Sequence, residues 1–307
     1  MQNRLIVLCA VLLAGACSTA LKTQNSSTPI AAPAKALPLV LALPNYPLSM
    51  QDRPTTDGQA YLTQLDARLQ NLPKIDTPHS LAVRAGVLFQ RYQALGALTD
   101  LDAAYALVKE LSVSTDSDAD ALLLSATIHS HMHEFDAALA LLDRLDNVQM
   151  SAALRAEIAD ARTLNPLRAR PLANAPLTTG KEYGELVRYA NDCIDRGELA
   201  CASDYFHQAQ FVYSDVAPMP LAWLHTQQGI ALLRFAQPEL ASRFFRAALT
   251  RVPNYYLALE HLAECEAQLK QFDSGRKHYK SVIAQTGNPE YMAGLAALEA
   301  RDRKSVV

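Results

Sequence analysis

The chain has 307 residues, 50% of them hydrophobic and 19% charged, with a formal net charge of −3. That length buries a sizeable core without help from disulfides or metals, and the slightly acidic balance lacks the basic footprint of a nucleic-acid binder. Abundant Ala and Leu favour helix over strand.

Arg4 precedes an apolar run at 5–16 (LIVLCAVLLAGA) that is too short to span a bilayer and reads as a signal peptide. Its end, Leu13-Ala14-Gly15-Ala16-Cys17, resembles the lipobox of bacterial lipoproteins. The resemblance implies cleavage after residue 16, a diacylglyceryl group on the Cys17 thiol and a palmitate-type acyl anchor. With Ser18 rather than Asp at the next position, it also implies residence in the outer membrane, facing the periplasm. The alternative is an ordinary secretory signal in which Cys17 is incidental.

Residues 17–58 form a tether, since Pro29, Pro33, Pro38, Pro44, Pro47 and Pro54 interrupt every helical window. Fully extended, such a segment reaches on the order of 130 Å. Its apolar stretch LPLVLALP is a candidate for docking on the folded part or on a partner.

The folded part begins near residue 59, with Leu62, Leu65, Leu69 and Leu72 on one helical face. Helical hairpins follow at about 81–112 and 119–147, then a shorter helix at 151–163. Pro166, Pro171 and Pro176 mark a linker over 164–180. It separates an N-terminal array (59–163) from a C-terminal one (181–307), whose hairpins are expected near 183–215, 222–252 and 256–286. Pro289 opens a last helix that caps the stack.

Two registers repeat at an offset of 34 residues. DLDAAYALVKEL (100–111) matches EFDAALALLDRL (134–145) at six of twelve positions. Farther on, Gly229, Ala241, Phe245 and Ala248 align with Ala263, Gly275, Tyr279 and Val282. A small residue in the first helix, another twelve later, an aromatic four beyond and a turn proline resemble the tetratricopeptide repeat. Gly229, Ala241, Phe245, Ala248 and Pro253 carry the pattern best, and Ala190, Gly197, Ala202, Phe206 and Ala209 supply a second copy. The implied fold is an all-α solenoid of tetratricopeptide-like hairpins in two sub-arrays.

No GxSxG, HExxH, phosphate-binding loop, dinucleotide fingerprint or CxxC is present, so neither an enzyme nor a cofactor nor a small-molecule substrate is expected. His129, His131 and His133 form one metal-like cluster. On a continuous helix His129 and His133 would share a face and chelate zinc or copper. The competing reading places His129 inside the hairpin and His133 at its turn. Removal of Cys9 and lipidation of Cys17 leave Cys193, Cys201 and Cys265. Cys193 and Cys201 face each other across a hairpin turn and are a candidate disulfide in an oxidising compartment; three buried free thiols are the alternative.

In the tetratricopeptide family the first helix of each hairpin lines the binding surface. Carried over, this selects Trp223, Gln227, Ile230 and Arg234, then Leu257, His261, Glu264 and Gln268, with Asn191 and Asp195 extending the row, and burial of Trp223 between hairpins as the alternative. An aromatic, aliphatics and both charge signs suit a peptide segment or amphipathic helix of an envelope protein. The expected function is therefore a lipid-anchored periplasmic scaffold in assembly, secretion or cell-wall enzyme recruitment, with metal handling by the histidine cluster as the alternative.

Overall fold

A computed structural model describes residues 55–72, 77–112, 118–145, 148–162 and 183–305. The signal peptide, Cys17, nearly all of the tether and the 164–180 linker lie outside the described residues. Among those described there are thirteen helices and no strand. None of the helices is long and apolar enough to cross a membrane.

The helices are α1 (Gly58–Asn71), α2 (Pro78–Leu95), α3 (Leu98–Ser112), α4 (Ala119–His131), α5 (Phe135–Leu142) and α6 (Val148–Arg162). After the linker come α7 (Tyr183–Asp195), α8 (Leu199–Val212), α9 (Pro218–Arg234), α10 (Pro238–Arg251), α11 (Tyr256–Gln268), α12 (Phe272–Thr286) and α13 (Glu290–Ser305). Starts are set locally. The Asp57 carboxylate accepts from the Ala60 N–H at 2.9 Å, Thr77 and Ser80 form a capping box ahead of α2, and the Asp118 carboxylate caps α4. Pro218 and Pro238 sit in the first turns of their helices, where no backbone donor is needed.

Helices pair as α2/α3, α4/α5, α7/α8, α9/α10 and α11/α12, each an antiparallel hairpin stacked on its neighbour. Four hairpins turn identically. His133, Gly197, Ala236 and Lys270 have φ of 60°, 79°, 55° and 59°. The N–H groups of the residues that follow, Glu134, Glu198, Gln237 and Gln271, bond to the carbonyls of His129, Cys193, Leu232 and Glu266. These are Schellman closures, which need one left-handed residue to satisfy the last carbonyls of the first helix.

The repeat's small residues do what close packing requires. Ala190, Ala202, Ala209, Ala241, Ala248 and Ala263 are fully buried, and a Cβ on Gly229 would stand 2.5 Å from the Phe245 ring. Phe245 thus fills the hairpin because residue 229 has no side chain. At the C-terminal end α13 occupies the place of a next first helix, contacting both α11 and α12. Leu298 is buried against Gly275, and Arg276 bonds to Glu299 and Asp302.

The two arrays are not held apart. Leu62 of α1 and Ala94 of α2 belong to the same core as α7–α13, and α1 packs against α9. Gln285 donates to the Leu95 carbonyl at 2.6 Å and to the Asn254 carbonyl at 2.8 Å. The chain entering α1 is tied as well, with the Thr56 N–H bonded to the Val216 carbonyl at 2.7 Å and Arg251 donating to Thr55 Oγ1. The hydrophobic pattern of α1 showed an amphipathic helix, but not which array would cover it.

Candidate functional site

The face made by the first helices α7, α9 and α11 carries the residues selected from the repeat pattern, and they divide into two groups. Trp223 is 4% exposed and Gln227 9%. Trp223 belongs to the core, and neither Trp223 Nε1 nor Gln227 Nε2 has a hydrogen-bond partner. The expectation that Trp223 lines an open groove is therefore corrected. Its side chain belongs to the core and does not stand on a groove wall.

The remaining row stays accessible. Ile230 and Leu257 are half-buried, each packed with one side on the core. Arg234 reaches from α9 to Asp195 of α7 at 3.3 Å, with both side chains more than half exposed. Asn191 lies one helical turn before Asp195 and is partly exposed. Exposed, screened pairs of this kind contribute little to stability, so their charges are available to another molecule.

On α11 the row holds a compact polar group. His261 Nδ1 lies 2.9 Å from Glu260 Oε2 and 3.4 Å from Glu264 Oε2, and Gln268 Nε2 donates to Glu264 Oε1 at 3.3 Å. The imidazole stacks on Phe245 with centroids 5.5 Å apart. Burial pushes the His261 pKa down, but the Glu260 and Glu264 carboxylates outweigh it and hold it up at about 10. His261 is therefore an imidazolium clamped between carboxylates at neutral pH. Glu260 was missed in sequence because it stands one position off the carried-over row, although its i, i+4 spacing to Glu264 places both on one side of the helix.

The histidine cluster does not converge, which corrects the metal expectation for His129 and His133. Helix α4 ends at His131, and His133 lies beyond it in the left-handed turn, exposed and edge-on to Phe135. Helical i, i+4 spacing therefore never applies. His129 turns inward, with Nδ1 2.6 Å from Glu134 Oε2 and Nε2 3.3 Å from Ser112 Oγ. Glu134 also accepts from the Tyr105 hydroxyl. The order Ser–His–Glu has the outline of a nucleophile with its base, but the Ser112 hydroxyl donates to the Val108 carbonyl at 2.6 Å. That commits its proton to the helix backbone, so the group ties α3 to α4. His131 bonds to the Tyr92 hydroxyl at 3.0 Å, and burial lowers its pKa to about 4.

Cys193 and Cys201 are joined in a disulfide across the α7–α8 turn, with Arg196 donating to Cys193 Sγ and to Glu198. Of the two sequence readings, pairing therefore holds for these cysteines. Cys265 is free and buried, its thiol pushed up to about 12 mainly by desolvation.

The fold is an all-α solenoid of tetratricopeptide-like helical hairpins. No protein-family model and no curated protein matches the chain. Among solved structures, a human IFIT1 dimer with PPP-AAAA is similar over 81% of this chain and 70% of that one, at 16% identity and a TM-score of 0.38. The repeat assignment stands on this chain's own helices, turns and 34-residue registers.

Proposed function

We propose that the protein is a lipid-anchored periplasmic scaffold that holds a segment of an envelope protein against the first-helix face of its C-terminal array. The observation that carries the reading is the set of accessible residues on the first helices α7, α9 and α11. Half-buried Ile230 on α9 and Leu257 on α11 share these helices with the Asp195–Arg234 pair and with His261, Glu264 and Gln268. A central apolar strip with a mixed-charge rim is the composition that captures an extended peptide or an amphipathic helix. Polyanions are disfavoured, because no excess of Lys or Arg lies in the row. The lipobox-like Leu13–Cys17 segment and its tether support anchoring at the outer membrane.

Photocrosslinkers placed in living cells at Ile230 and Leu257 should trap the same protein, while one at exposed Arg243 on α10 should not. Equal trapping from all three positions refutes the row. Cys17→Ser should release the protein from the outer-membrane fraction, and unchanged fractionation refutes the anchor.

A further inference from the structure

We infer that Glu260, His261 and Glu264 form a binding site for a divalent transition metal, with zinc the best match, on a half-buried side of α11. One donor atom from each residue lies within 4.8 Å of the other two. The His261 Nδ1 distances to the two carboxylate oxygens are 2.9 and 3.4 Å. Two ligands on a tetrahedral zinc, each about 2.0–2.1 Å from the metal, stand roughly 3.3 Å apart. The two distances from His261 Nδ1 bracket that spacing, and the third edge lies within 4.8 Å.

Three further features separate this group from a chance surface ion pair. All three ligands come from little more than one turn of a single helix, so loading the site needs no movement of one element against another. The imidazole plane is fixed by its stack on fully buried Phe245. Glu264 is oriented from behind, because Gln268 donates to Oε1 and leaves Oε2 directed at His261. A hydrogen-bonded outer carboxylate oxygen is the usual second layer of a metal site.

One imidazole and two carboxylates match zinc among the common divalent ions, while calcium and magnesium demand more oxygen ligands. Only three protein donors are present, so one coordination position remains for water or for a side chain brought by another molecule. The inference rests on the geometry of α11 and is independent of whether a protein segment occupies the row.

The test is calorimetric titration of zinc chloride into the chelator-stripped full chain, repeated with cobalt(II) for its visible absorption. One equivalent of zinc is expected to bind. Glu264→Gln and His261→Gln should each abolish that uptake together with the four-coordinate cobalt bands. Gln268→Ala, a change at an exposed residue that leaves all three ligands in place, should weaken zinc by about tenfold with no change in the metal-free melting temperature. Absence of zinc uptake by the unaltered chain, or unchanged affinity in Glu264→Gln, overturns the site. Those results would leave the crosslinking test of the protein-binding row untouched.

Discussion

The shared hairpin turn allows backbone strain to be measured twice with opposite signs. Gly197 and Ala236 occupy the same left-handed position in successive hairpins, at φ of 79° and 55°, and both are exposed. A Cβ at Gly197 meets nothing within 4 Å, so Gly197→Ala changes only the conformational preference. A left-handed L-residue costs about 1–2 kcal/mol, and removing glycine's larger unfolded-state entropy returns about 0.5–1 kcal/mol. The net expectation is a loss of about 1 kcal/mol for Gly197→Ala and a gain of about 1 kcal/mol for Ala236→Gly. In an array of this size that corresponds to about 2–4 °C in melting temperature per substitution. Urea and thermal unfolding of the full chain, with the disulfide intact, read both. Destabilisation by Ala236→Gly, or a neutral Gly197→Ala, would refute the common-turn argument, because a Cβ at Gly197 meets nothing and Ala236 is exposed.

Reduction of Cys193–Cys201 releases a closed loop spanning a sequence separation of 8. It should lower stability by about 2.5 kcal/mol in the chain-entropy picture; an unchanged unfolding midpoint in reductant refutes a stapling role. Stability should also fall with acid between about 6.5 and about 4, because unfolded His131 takes up a proton near its ordinary value whereas the folded ring does so only near 4. In that window the unfolded state binds more protons, so lowering the pH favours it, and His131→Phe should flatten the slope in a pH series of urea midpoints. Gly229→Ala brings a Cβ to 2.5, 2.6 and 2.9 Å from three atoms of the Phe245 ring. Overpacking of about 1–3 kcal/mol should exceed the helix-propensity gain of about 1 kcal/mol, and Phe245→Leu in the same chain should relieve part of the loss in a double-mutant cycle.

The repeat was legible in the sequence because its determinants are local. Gly229, Ala241 and Phe245 recur at fixed spacing since two helices joined by a short turn meet in one geometry wherever that turn occurs. The helix start near Pro289 was readable for the same reason. The row Asn191, Asp195, Ile230, Arg234, Leu257, His261, Glu264 and Gln268 followed from helical periodicity and the family resemblance, and these residues lie on the first helices α7, α9 and α11. What periodicity could not supply was the set of contacts between distant segments. Packing of α1 against α9 is one such contact, made across more than a hundred residues of intervening chain, and the burial of Trp223 likewise did not follow from spacing. Whether His129 and His133 could meet depended on α4 stopping at His131, a boundary set by the Schellman turn rather than by the histidines themselves. The clamp on His261 needed Phe245 from the preceding hairpin to hold the ring while Glu260 and Glu264 closed on it. Spacing along one chain determines which residues share a helical face, whereas burial and charge pairing depend on the second surface laid against that face, and only the tertiary structure decided that.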